Sequence, residues 1–361
     1  MQLPADANYT IGDYLRERLM PVEGAIPHLA GIEMYGRSVP TGRAGGDLFE
    51  YINFQQRYDL DARIRRALRL SKDCLQAHPA GASDCTSVDD FMEWLKARAD
   101  FRPEMETAYR QTRSLEQVRV AEDLHDLADT AGVLLVDAQG HGLISAKIAS
   151  TVHDTFHALM LSELDRHGKT TPEFFELINL RLAHSVTARN ALGEDTDGDA
   201  REIATMLYGE VRPSGHFRFV NFGHPPPLVF SASEGKFRKV DRDRMVQFLP
   251  LGLEVPADHP DRKRYFSMGF RKREADDSDV ADIALTHPGD LLFLYTDGVY
   301  DGSDEVERRA LEVLMRDVCL RPAKDICQVI LERAAVKDRV LHEHGEDDLI
   351  DDKTVFIVKR S

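Results

Sequence analysis

Short, nearly continuous apolar runs alternate along this chain with longer stretches of helical periodicity. Leu48 to Phe54, Gly132 to Val136, Leu291 to Tyr295 and Thr354 to Val358 are too short for buried helices and rich in Val, Leu, Ile and Phe, so each predicts a buried strand. Ile203 to Val211, His216 to Asn221 and Leu228 to Phe230 predict a meander, with breaks at Pro213-Ser214-Gly215 and at the proline run after His224. Ile144 to Leu164 reads as an apolar-rich helix, and Thr171-Pro172-Glu173 opens another that runs to about Ala188.

Between Phe54 and Gly132 lie about 75 residues, far longer than a hairpin loop, and their pattern is helical. Leu60, Ile64 and Leu68 recur at four-residue spacing. Ser87 with Asp90 resembles a capping box for Val88 to Ala99, and Pro103 opens a third helix reaching about Leu127. Phe91, Trp94 and Leu95 are its expected packing anchors. Excising Gln56 to Asp126 is expected to leave a folded core. Near the N-terminus, Ile11, Tyr14, Leu15 and Leu19 form one face of a short helix stopped by Pro21. The charged stretch Asp258 to Asp279 reads as a solvated loop or flap, and Gly193 to Asp199 as an exposed loop.

Acidic residues then change the picture. Gly45-Gly46-Asp47, Asp137-Ala138-Gln139-Gly140-His141-Gly142, Thr296-Asp297-Gly298 and Asp351-Asp352 each lie beside an apolar run, so each aspartate sits at a strand end. A sheet that brings those ends together would build an all-oxygen site suited to Mg2+ or Mn2+. The adjacent glycines would let backbone approach the metal closely. The residue pattern does not rank the aspartates, because Glu50, Asp290, Asp301, Asp347 and Asp348 are acidic and close by in sequence; their expected role is solvation or helix-end charge. His153 and His157 stand one helical turn apart, but with no third ligand nearby in sequence they read as helix-face histidines. His224 is expected to brace a turn.

Taken in order, Gly45-Gly46-Asp47-Leu48-Phe49-Glu50, the Asp137 to Gly142 segment, Asn221-Phe222-Gly223-His224-Pro225-Pro226-Pro227-Leu228, Leu249-Pro250-Leu251-Gly252-Leu253, Gly289 to Val299 and Asp351-Asp352-Lys353-Thr354 resemble the catalytic domain of SpoIIE/RsbU-type PPM (type 2C) serine/threonine phosphatases. The resemblance covers about residues 28 to 360. It implies an α+β fold, an α-β-β-α sandwich of two mostly antiparallel sheets flanked by helices, here with a helical insertion at about 56–128. Residues 1–27 would form an N-terminal linker or switch segment, and 28–361 the phosphatase domain.

The resemblance further implies two Mn2+ or Mg2+ ions ~3.5 to 4 Å apart that activate a bridging water for in-line displacement at phosphorus. Asp137 would bridge both, the Ala138 carbonyl would serve one, and Asp297 and Asp351 would complete the other. Asp47 would orient metal-bound water or bind directly, and Asp352 is the weaker half of its pair. His141, between two glycines, is a candidate general acid for the leaving oxygen, with a structural hydrogen bond as its alternative role. Arg43 is a candidate phosphate clamp. The implied substrate is a phosphorylated regulatory protein such as an anti-anti-sigma factor. An activating partner, or a second copy forming a homodimer, could engage the N-terminal helix or the insertion.

Two other readings compete with this one. Gly45-Gly46-Asp47-Leu48-Phe49 differs by one residue from the diguanylate cyclase signature, but those enzymes need an acidic residue where Leu48 stands, and they leave Asp137, Asp297 and Asp351 unexplained. A silent phosphatase-like scaffold would have no reason to keep all the aspartates. A formal net charge of −16 argues against nucleic acid or an anionic membrane as partner and fits a protein with a basic face. Cys74, Cys85, Cys319 and Cys327 lack metal-knuckle spacing. No segment reaches the ~18 apolar residues of a membrane span and no leader pattern opens the chain, so a cytoplasmic location is expected.

Overall fold

A computed structural model describes residues 21, 26–42, 44–74, 97, 113–140, 142–191, 202–238, 240, 247–253, 258, 281–300, 302 and 304–361. The first half of the chain runs β1 (Ile32–Val39), β2 (Asp47–Asn53), α1 (Phe54–Tyr58), α2 (Leu60–Cys74), α3 (Arg113–Ala128), β3 (Ala131–Ala138), α4 (Leu143–His167) and α5 (Pro172–Ala191). Six strands follow: β4 (Ala204–Val211), β5 (His216–Phe222), β6 (Leu228–Ser231), β7 (Lys236–Arg238), β8 (Gln247–Phe248) and β9 (Ala281–Ala284). The chain closes with β10 (Leu291–Tyr295), α6 (Glu305–Val318), α7 (Ala323–His344) and β11 (Lys353–Arg360).

One sheet has the order β1-β11-β10-β6-β7; the other has β2-β3-β4-β5-β8, with β9 also paired to β5. Pairing is antiparallel throughout except for the short β5–β8 contact. Side-chain alternation divides the apolar residues of these strands among three cores. Phe49, Tyr51, Val133, Leu135, Phe356 and Val358 pack between the sheets. Leu48, Ile52, Leu134 and Val136 face the other way, onto Val152, Phe156 and Met160 of α4 and Phe174 and Ile178 of α5. Val355 and Ile357 face Leu311 and Met315 of α6 and Ile326 and Ile330 of α7. The result is the expected α-β-β-α sandwich. Strands covered on both faces explain why their sequences read as apolar runs rather than as alternation.

The helices bounding the insertion do not stand apart from this core. Leu60, Ile64 and Leu68 of α2 and Val118, Ala121, Leu124 and Leu127 of α3 belong to the same buried cluster as β2, β3 and α4. The expectation that excision of 56–126 leaves a folded core is therefore corrected. Loop closure between β2 and β3 would be easy, but the removed helices cover apolar surface that would meet water. The N-terminal helix, Val88 to Ala99 with Phe91, Trp94 and Leu95, the loop 193–199 and nearly all of 258–279 lie outside the described residues. Among the described residues, no helix is long and apolar enough to cross a membrane.

Candidate metal centre

The antiparallel register of β2 and β3 sets Asp47 opposite Asp137. Asp47 shares parity with Phe49 and Tyr51, and Asp137 with Val133 and Leu135, so both carboxylates point toward the space between the sheets, at its edge. The facing sheet supplies the partners. Thr296, just after β10, and Thr354, in β11, donate their hydroxyls to Asp47 Oδ2 at 2.7 and 2.8 Å. The Thr354 amide in turn donates to Thr296 Oγ1 at 2.9 Å, which fixes both hydroxyls. Burial and the nearby Asp137 carboxylate push the Asp47 carboxyl well above its ordinary range, while the two hydroxyls pull it back.

The same edge gathers the other two acidic segments. Asp297 is exposed in the turn after β10, and Asp351 is exposed just before β11. Burial first, then the charges of Asp297, Asp351 and Asp352, push the Asp137 carboxyl up to about 7. Asp352 is buried and committed to holding backbone. It accepts from the Thr41 amide at 2.7 Å, the Thr41 hydroxyl at 2.9 Å and the Gly46 amide at 2.7 Å, which fastens the loop before Asp47 to the start of β11. Asp351 Oδ1 accepts the Asp352 amide at 2.7 Å.

Two glycines are required by close approach rather than by turn geometry. A Cβ on Gly46 would lie 2.5 Å from the Ala138 carbonyl oxygen, and one on Gly298 would lie 2.1 Å from the Asp352 carbonyl oxygen. Both contacts are with backbone, which cannot swing aside, so a side chain at either position would move a strand end that carries an aspartate. An all-oxygen, net negative donor set whose members oppose one another's ionisation fits Mg2+ or Mn2+.

Asp47, Asp137, Ala138, Asp297 and Asp351 are thus brought to one edge, whereas Arg43 and His141 lie outside the described residues. The Asn221 to His224 motif is a braced turn: the Asn221 side chain bonds both the amide and the carbonyl of His224 at 2.8 Å, and His224 Nδ1 meets the Thr205 hydroxyl at 2.8 Å. Burial holds the His224 imidazole down at about 3, so it is neutral. Leu251 in the next motif pairs with the backbone of Ala204, and Asn179 of α5 bonds Gly252 and Leu253. Asp290 is a buried turn brace that accepts from the amides of Ala232, Thr286 and His287 and from Arg238. Glu50, expected to be solvated, is instead buried against His153 and His157, so the reading of those histidines as lacking a third partner is corrected as well. The missed signal was the odd spacing of Glu50 from Asp47, which turns it toward α4.

Comparison with known families decides the membership. The family model of Stage II sporulation protein E (SpoIIE) matches residues 128–361, well over half of the chain. The chain belongs to the SpoIIE family. That match starts at the end of α3 and contains every candidate aspartate except Asp47. The SpoIIE-family chain is similar to the RsbU and RsbW domains of a Mycobacterium tuberculosis protein, with 17% identity over 94% of this chain and 64% of that one, TM-score 0.46. It is similar to the PP2C phosphatase domain of Bacillus subtilis SpoIIE with a fragment of its regulatory domain, with 12% identity over 92% and 64%, TM-score 0.46. It is also similar to the SiaA PP2C domain of Pseudomonas aeruginosa, with 12% identity over 97% and 95%, TM-score 0.49. The chain spans 64% of the length of the first two. No curated protein matches it.

Proposed function

We propose that this chain hydrolyses phosphoserine or phosphothreonine on a protein, using two Mn2+ or Mg2+ ions held by Asp137, the Ala138 carbonyl, Asp297 and Asp351. The observation that carries this reading is the convergence of aspartates from four distant segments on one sheet edge, where burial and the neighbouring carboxylates push the Asp137 carboxyl up to about 7. Bound there, divalent cations would neutralise phosphoryl charge and make water a usable nucleophile at neutral pH. The chain's own residues supply orientation. Thr296 and Thr354 hold Asp47 Oδ2 in place across the edge, and Asp352 ties down the loop that also carries Arg43, the candidate clamp for a phosphate oxygen. His141 is the candidate proton donor to the leaving oxygen.

A protein substrate is favoured by the rim of the site. Leu143 and Ile144, in the first turn of α4 directly after the Gly140 to Gly142 loop, are 55% and 72% exposed. Large apolar side chains beside a charged sheet edge suit docking of a folded partner better than capture of a small phosphate ester. A phosphorylated regulator such as an anti-anti-sigma factor, met in the cytoplasm, fits this surface. The N-terminal segment or the insertion would receive an activating partner or a second copy.

The test is hydrolysis of p-nitrophenyl phosphate and of a phosphoserine peptide, in EDTA, Mg2+ or Mn2+, beside Asp137→Asn. Metal-dependent turnover that falls by about 100-fold or more in the variant is expected, since even outer-shell losses cost about 10–100-fold. Turnover that ignores EDTA, or survives Asp137→Asn, would sink the assignment. Folded protein that binds a partner but never turns over would favour a scaffold.

A further inference from the structure

We propose that Glu50, His153 and His157 form a second metal site, chemically distinct from the carboxylate edge, that takes one divalent transition metal of the zinc class. Glu50 lies three residues after Asp47 on β2, roughly 10 Å along the strand at ~3.3 Å per residue. The odd spacing turns its side chain to the opposite face, toward α4. There Glu50 Oε2 lies 2.6 Å from His157 Nε2 and 3.1 Å from His153 Nε2. The ligand atoms all lie within 4.8 Å of one another, and the two imidazole centroids are 4.5 Å apart. Glu50 and His153 are each 8% exposed.

The outer atoms of the cluster are already held. His157 Nδ1 lies 2.6 Å from the hydroxyl of buried Tyr58, and His153 Nδ1 lies 3.3 Å from Asp154 Oδ1. Arg57 holds the other Glu50 oxygen, Oε1, at 3.1 Å. A metal-binding histidine characteristically has its second ring nitrogen fixed by a carboxylate or another polar partner, so that the first presents its lone pair inward. Both histidines here satisfy that requirement.

Proton bookkeeping favours the cation over a plain hydrogen-bonded cluster. Without metal, both Nε2 atoms face one carboxylate oxygen, so each must carry a hydrogen. Tyr58 can then donate to His157 Nδ1, but the Asp154 carboxylate has no proton to give, so a neutral His153 leaves one of its two carboxylate contacts without a hydrogen. With metal on both Nε2 atoms, His153 Nδ1–H would donate to Asp154 and His157 Nδ1–H to the Tyr58 hydroxyl, and the Glu50–His157 contact, 2.6 Å here, would open to admit the ion. Two imidazoles and one carboxylate suit Zn2+, with water in an open position, whereas Mg2+ and Mn2+ prefer oxygen ligands. The ion would staple the catalytic strand β2 to α4, beside Tyr58 at the entrance to the insertion.

The full-length protein, stripped with EDTA, is titrated with Co2+ as a spectroscopic probe and with Zn2+ in competition. The expected result is strong visible d–d absorption of a four- or five-coordinate histidine site, saturating at a single equivalent and displaced by Zn2+. Glu50→Gln and His153→Gln should lose this band and Asp137→Asn should keep it. Zn2+ should raise the melting temperature of Asp137→Asn but not of the double variant Asp137→Asn/His153→Gln, in which both sites are disabled. Only the weak bands of a six-coordinate oxygen site in folded wild-type protein would overturn the proposal, as would a band lost in Asp137→Asn and kept in His153→Gln. If His153→Gln does not fold, His157→Gln and the wild-type spectrum decide. None of these readouts depends on phosphatase turnover.

Discussion

The Asp137 carboxyl stands near pH 7 because burial, Asp297, Asp351 and Asp352 all oppose its ionisation. In an unfolded chain an aspartate ionises at about 3.9. Between those values the folded apo-protein keeps a proton that the unfolded chain has released, so its stability falls as pH rises through that window. Asparagine at this position cannot ionise and escapes the penalty. In EDTA, Asp137→Asn should therefore melt above the wild type at pH 8, with the gap closing toward pH 4, while Mn2+ should reverse the order. Melting curves at several pH values check this; a wild type more stable than the variant at pH 8 without metal would contradict it. Glu50 differs in kind. Burial opposes its ionisation, but the hydrogen bonds and charges of His153 and His157 prevail and hold its carboxyl down at about 2.

At the scale of elements, strands were the most legible features. β10 occupies Leu291–Tyr295, the very span its apolar run marked, and β2, β3 and β11 differ from theirs only by a few terminal residues. β1, α6 and α7 went unread although signals existed. Ile32 and Met34 alternate with Glu33 and Tyr35, and Asp304 caps α6 ahead of Leu311, Met315 and Val318 at helical spacing. The insertion was legible as helices but not as part of the core, because periodicity marks an apolar face without saying what covers it. Full burial of a Leu, Ile or Val contributes about 1.5–3 kcal/mol, so Leu60, Ile64, Leu68, Val118 and Leu124 together represent on the order of 10 kcal/mol, against ~5–15 kcal/mol for a whole domain. Excising residues 56–126 should thus yield insoluble or molten protein, checked by solubility and near-UV circular dichroism. A soluble, cooperatively melting product would show that α2 and α3 are dispensable.

Across the whole molecule, a net charge of −16 bears on how a charged partner would be steered and on the response to salt. If the phosphoprotein substrate presents a basic face, raising ionic strength from about 0.05 to 0.5 M should lower its kcat/KM severalfold while leaving p-nitrophenyl phosphate turnover little changed, because only the large partner is steered over a Debye length of about 10 Å. Stopped assays at a series of NaCl concentrations check this, and equal salt sensitivity of both substrates would refute steering. The sandwich class, the family and the aspartates at strand ends are all legible in the chain's order of residues, because each of those signals is local: an apolar run, a glycine pair, an acid beside it. Folding alone makes Asp352 a buried brace while Asp351 stays exposed, since the two are neighbours in the chain and differ in which way the edge of β11 turns them. It likewise decides that Glu50 meets His157, 107 residues away. That meeting depends on the parity of β2 and on how α4 docks across it, and packing of the whole core sets both.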